Sequence, residues 1–147
     1  MSTRVVLIGG AINGIILCLI AFLLSRFAGD IYGRALLVIF LFIALGAYVG
    51  FAVSALVSGL WVLAQVAHVI ILGAMGLLGL RGSPCWLAAA WALHVLWDYP
   101  LHYLGPGHAF APGLWAISCV SFDLVVALYI AIVYRLDLVK RRAQALA

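Results

Sequence analysis

Between Ala35 and Leu80 the chain carries no Asp, Glu, Lys or Arg. One crossing of a bilayer's hydrocarbon core takes roughly 20 apolar residues, and this run is about twice that, so it has to turn once and lie as two helices. In lipid every backbone amide and carbonyl must be satisfied internally, which restricts a spanning segment to a helix or a closed barrel. The turn is expected at Ser54–Gly59, where Ser54, Ser58 and Gly59 cluster. Three more stretches are long enough to span. They are Val5–Ser25, Pro84–Leu104 (interrupted by Asp98 and its histidines) and Pro112–Tyr134 (interrupted by Asp123). The expectation is one all-α integral membrane domain of five helices, with spans near 5–25, 35–55, 59–80, 84–104 and 112–134 and a basic tail at 135–147. A soluble domain is about half apolar and a quarter charged; a chain that is 69% apolar and 8% charged cannot hide that surface from water.

The first stretch has no clear small-x-small cleavage site before Arg26, so it is expected to be a retained span, not a secretion signal. Cys18, Cys85 and Cys119 fall on separate helices without paired spacing, which argues against a disulfide framework. Five spans put Arg4 alone with the N-terminus, the loop near Ser58 and the Gly105–Ala111 loop. Arg26, Arg34, Arg81, Arg135, Lys140, Arg141 and Arg142 collect on the other side. Basic residues stay cytoplasmic, so the N-terminus is expected outside and the C-terminus inside, with the tail Arg135–Arg142 against anionic headgroups. The same asymmetry accounts for the net charge of +4 without a nucleic-acid partner. The expected partners are membrane lipids, with a second copy or a membrane complex as further options.

Within this apolar chain a few polar residues stand out, because an ionisable side chain in hydrocarbon is costly unless paired or wetted. His94 and Asp98, and likewise Cys119 and Asp123, are spaced i,i+4, while Gln65 and His68 are i,i+3, so each pair shares a helix face. The alternating topology brings these faces into the middle and outer half of the bundle, between the third, fourth and fifth spans. Pro100 cannot donate to the Leu96 carbonyl, which predicts a kink beside them. Small-residue stripes, Gly10-x3-Gly14, Gly46-x3-Gly50 and Gly73/Gly76/Gly79, read as close-packing seams or an oligomer face.

Three chemistries suit the cluster. His68, His94, Asp98 and His102 are competent ligands for a divalent metal such as zinc, copper or iron. Asp98 and Asp123 could act as an acid–base pair toward an apolar substrate, with Trp97, Cys119 and Gln65 lining its site. This reading includes a small proton-coupled transporter. Alternatively the polar residues only hold helices or a cofactor together in a structural or accessory subunit. Haem held between His68 and His94 is one such variant. Whether the protein is an enzyme is left open by the residues themselves.

At His94–His102 and Cys119–Asp123 the chain resembles a family of small bacterial polytopic membrane proteins of unknown function. That family's pattern is a His, two residues, Trp-Asp and then a His pair on one helix, followed by Cys-x-x-aromatic-Asp on the next. Here these are His94-Val-Leu-Trp97-Asp98, His102, and Cys119-Val-Ser-Phe122-Asp123; Leu101 stands where the first His of the pair would fall, behind an inserted Tyr99-Pro100. The resemblance implies one site shared by two helices in a bacterial inner membrane, and no particular activity. The orientation is checked by single cysteines in the Gly105–Ala111 loop of a cysteine-free background. They should react with an impermeant thiol reagent added to intact cells, and protection from it would reverse the topology.

Overall fold

The computed structural model describes residues 2–136 and 138; the basic residues Lys140, Arg141 and Arg142 lie outside them. The helices are α1 (Thr3–Phe27), α2 (Asp30–Ser54), α3 (Gly59–Arg81), α4 (Pro84–Trp97) and α5 (Gly113–Arg135). A π-helical segment, Asp98–Tyr103, continues α4, and a 3₁₀ turn, Pro106–Ala109, precedes α5. Helices α1, α2, α3 and α5 are long and apolar enough to cross a membrane; α4 reaches comparable length only together with its π-helical extension.

Local chemistry sets the ends. Gly29 turns the chain between α1 and α2 at φ 127°, and Leu56 makes the α2–α3 turn at φ 51°. The first conformation is open to glycine and costly for other residues; the second is an uncommon one for leucine. Ser83 caps α4, its hydroxyl accepting from the Cys85 amide, with Pro84 at the first helical position, where its missing N–H is not needed.

Each helix packs on its neighbour in sequence, and α5 closes the ring on α1. In a ring of five alternating helices one adjacent pair must run parallel, and here it is α1 and α5. That pair is joined at glycine. A Cβ at Gly10 would strike Ser118 and Ser121, and one at Gly14 would meet the Phe122 carbonyl at 3.0 Å. Gly73, Gly76 and Gly79 of α3 likewise make room for Phe42, Leu41 and Leu87. Gly46 and Gly50 differ from the sequence expectation: a Cβ at either would meet nothing within 4 Å among the described residues, so this stripe is not a seam between them. Both are exposed, on the side of α2 away from its buried residues Leu41, Leu45 and Tyr48; α2 meets α1 through another face, where Gly33 fits against Ala21 and Ser25.

The bundle is inverted relative to a soluble protein. Ile8, Ile12, Leu19, Ile43, Leu63, Ile70 and Leu128 are exposed, whereas Gln65, His94, Asp98, His102 and Asp123 are buried. Lipid as the surrounding solvent makes this order favourable. Near the end carrying Arg26, Arg34 and Arg81 the interior is apolar, built on Leu37, Leu41, Leu87, Trp91, Val126 and Ile130. One cation fastens that end. Arg34 pairs with Asp30, donates to the carbonyls of Gly79 (3.3 Å) and Gly82 (2.9 Å), and lies over the Tyr134 ring at 4.7 Å. It thereby ties α2 to α5 and to the electronegative C-terminus of α3. Arg34→Ala is expected to lower stability by about 2–3 kcal/mol, read as a lower melting temperature in detergent. Arg34→Lys should recover only part of this, because an ammonium cannot span both carbonyls and the ring.

Candidate functional site

At the other half of the bundle three helices and the π-helical continuation of α4 contribute to one polar cluster. Helix α3 supplies Gln65 and His68, α4 supplies His94 and Trp97, the π-helical segment supplies Asp98 and His102, and α5 supplies Asp123. The expected kink at Pro100 takes the form of this π-helical turn, in which the Leu104 amide donates to the Tyr99 carbonyl. Pro100 has no amide to donate and its ring crowds the preceding turn; one extra residue in the turn relieves both. Such turns are frequent at functional sites, and this one carries Asp98 and His102 into the interior.

Hydrogen-bond logic fixes the protons. The Trp97 indole can only donate, and it donates to Gln65 Oε1 at 3.2 Å. The Gln65 amide nitrogen must therefore be the donor toward His102 Nε2, 3.1 Å away, and a neutral His102 then carries its proton on Nδ1. That Nδ1 stands 4.0 Å from Asp98 Oδ1. His94 Nδ1 lies 2.8 Å from Asp123 Oδ2, and because an ionised carboxylate only accepts, this nitrogen bears the proton. His94 Nε2 is left facing Asp98 Oδ1 at 3.4 Å. All four of these side chains are fully buried. Among the described residues, both Asp98 oxygens, Asp123 Oδ1, His94 Nε2 and His102 Nδ1 have no hydrogen-bond partner. Buried carboxylate oxygens without partners are expensive, and so many together mark a place where positive charge or a donor is wanted.

Donor atoms of His94, Asp98 and Asp123 all lie within 4.8 Å of one another, which makes these three the candidate chelating group among the described residues. The two other histidines expected as ligands border it. His68 lies face to face with Trp97 (centroids 4.3 Å, 16°) and with His94 (5.4 Å, 28°). His102 is held by Gln65 and covered by the loop, where a Cβ at Gly107 would strike its ring. Trp97 and Gln65, expected to line a substrate site, are joined by a hydrogen bond that runs on to His102. Cys119 stands apart from the chelating group, lining a cleft with Asn13 and Asp123. His108 is exposed on the connecting loop.

Sequence reasoning missed Tyr48. This α2 residue is fully buried, lies 4.2 Å from the His102 ring centroid, and meets His94 edge-on at 5.8 Å. Its hydroxyl is beside Asp98 and Cys119. The available signal was a tyrosine inside the Ala35–Leu80 run, where the interfacial preference of tyrosine offers no account of it.

Comparison with known sequences gives one family match, over residues 9–135 and so across all five helices. The protein belongs to the DUF6010 family, a family of unknown function. The DUF6010 match extends well beyond the two motif helices, taking in α1, α2 and α3 along with Tyr48. No curated protein and no solved structure matches the chain. For this DUF6010 protein the proton assignments can be tested directly. Nitrogen-15 NMR of the histidine-labelled protein in bilayers should find His94 and His102 both protonated at Nδ1, and Gln65→Leu should release His102 to a tautomer mixture while leaving His94 unchanged. An Nε2 proton on His102 in the unmodified protein would contradict the assignment.

Proposed function

We propose that this is a five-span protein of the bacterial cytoplasmic membrane, N-terminus outside, that holds a divalent transition metal in its outer half. The metal is bound between His94 Nε2 and Asp98, and zinc suits it best. One observation carries the reading, the 3.4 Å separation of His94 Nε2 from Asp98 Oδ1. A charge-assisted N–H···O bond closes to about 2.7–2.9 Å. Nitrogen and oxygen ligands about 2.0–2.2 Å from a tetrahedral zinc ion stand roughly 3.4 Å apart. Asp123 then has the supporting role common at such sites, accepting the other imidazole N–H and so fixing the ligand tautomer. Charge agrees as well: a neutral His94, two carboxylates and a divalent ion sum to zero, which a low-dielectric interior favours. A metal with open positions can polarise a carbonyl or activate water, so this reading extends to an enzyme acting on lipid. Residues Gln65, Trp97 and Tyr48 set the shape and donors around it.

A second reading rests on a separate feature, the carboxylate that faces each nitrogen of His94. A proton can take the metal's place, with an imidazolium between Asp98 and Asp123. The site would then belong to an acid–base device or to a structural subunit. Elemental analysis of protein purified without chelator or histidine tag separates the two. Near-stoichiometric zinc, reduced at least about tenfold in His94→Ala and in Asp98→Ala, is the expected result. Folded protein without metal, before and after zinc is supplied, would replace the metal reading with the proton one.

A further inference from the structure

The polar cluster is sealed: His94, Asp98, His102 and Asp123 are all fully buried. A metal site needs an entry path, and the DUF6010 fold favours one direction for it. Toward the Arg34 end the interior is apolar, filled by Leu41, Leu87, Trp91, Val126 and Ile130. Sideways the helices present exposed Ile and Leu side chains, a hydrocarbon-facing surface that is costly for a divalent ion to cross. At the opposite end the cover is the Gly105–Ala111 loop, and it is thin. Pro106, His108 and Ala109 are exposed on it, while Gly107 among them is buried. A Cβ at Gly107 would come to 2.6 Å from His102 Cδ2 and 3.2 Å from its Nε2, so the loop backbone rests on that edge of the ring, an approach that suits glycine. The Phe110 ring adds an edge-on contact to His102 at 5.5 Å and another to Trp61 of α3 at 5.4 Å.

We propose that the metal enters beneath this loop, which acts as a lid, and that His102 is the first ligand it meets. His102 stands between lid and site. Its Cδ2–Nε2 edge lies against Gly107, and its Nδ1, on the other side of the ring, is 4.0 Å from Asp98 Oδ1. Nε2 is the nitrogen that accepts from Gln65, so it carries the lone pair that a metal ion needs. An ion under the raised lid takes the place of the Gln65 amide at Nε2, and turning of the freed ring delivers it to Asp98 and His94. With the lid down, Gly107 blocks that rotation. The lid is lightly fastened. Its backbone bonds close on the loop itself: the His108 amide donates to the Gly105 carbonyl, and the Phe110 and Ala111 amides to the Gly107 carbonyl. Among the described residues no side-chain hydrogen bond ties Gly105–Ala111 to the helices. Segments held this way open locally at far lower cost than the bundle unfolds. This inference rests on the proposed metal site and adds to it the route and the part of His102.

The test measures zinc exchange on the purified full-length protein: loading with isotopically enriched zinc and loss to a chelator, both followed by mass spectrometry. Trp61→Cys with Phe110→Cys in a cysteine-free background, joined by a short thiol cross-linker that a reductant cleaves, pins the lid to α3. The linked protein should load and lose zinc at least about tenfold more slowly than the same protein unlinked. Its final zinc content should match, and cleaving the linker should restore both rates. Phe110→Ala, which removes the contacts to His102 and Trp61, should speed loading and loss together. His102→Phe keeps a ring under Gly107 but removes both nitrogens, and it should slow loading with the lid unlinked. Equal rates in the linked and unlinked forms, or loading of His102→Phe at the rate of the unmodified protein, would overturn the proposal. So would slower exchange in Ile16→Trp or Ile43→Trp, which would put the route through the cleft that these residues line. Unlinked protein that takes up no zinc defeats the metal site and this route with it, whereas zinc bound and exchanged at a rate the linker does not change defeats the route alone.

Discussion

Burying two carboxylates around one imidazole is the constraint on which the rest of this bundle turns. A lone ionised carboxylate in a low-dielectric interior is costly by several kcal/mol. Asp98 and Asp123 are both fully buried on either side of His94. The protein's answer is concentric. His94 donates to Asp123, Gln65 and Trp97 fix His102 with its N–H toward Asp98, and Tyr48 closes the remaining side. Several of these contacts join different helices, His94 of α4 to Asp123 of α5, Gln65 of α3 to His102 of the π-helical segment and Tyr48 of α2 to both histidines, so the electrostatics of the site and the assembly of the bundle are one problem. Removing one partner would therefore disturb helix packing as well as charge.

The ring architecture follows from chain topology and in turn makes the site possible. An odd number of alternating helices leaves one parallel pair, and the close approach at Gly10 and Gly14 supplies its contact. Dispersion and short Cα–H···O contacts reward such glycine seams where no hydrophobic drive between helices exists. With the ring closed, side chains from α2, α3, α4 and α5 can reach a common centre. The basic end is dense and apolar, fastened by Arg34, whereas the other end holds polar groups and a cleft. Rigidity at one end lets the opposite end stay open without loss of the fold.

Much of this was legible in the sequence, because hydropathy and spacing are local signals. The Ser54–Gly59 break and the helix bounds near 25, 80 and 134 follow from runs of apolar residues and their interruptions. The shared face of His94 and Asp98 follows from i,i+4 spacing, whereas Asp123 was read as one of an acid–base pair with Asp98 and its hydrogen bond to His94 was not foreseen. What escaped prediction depends on three-dimensional packing. Tyr48 carries no motif, and its position beside His102 is set by how α2 leans over the π-helical turn. That turn itself was read as a kink, because Pro100 signals that the helix is disturbed but not how it accommodates. Gly46 and Gly50 have the same pattern as Gly10 and Gly14 yet lack a neighbour, because a stripe of small residues permits close approach and cannot supply the helix that approaches.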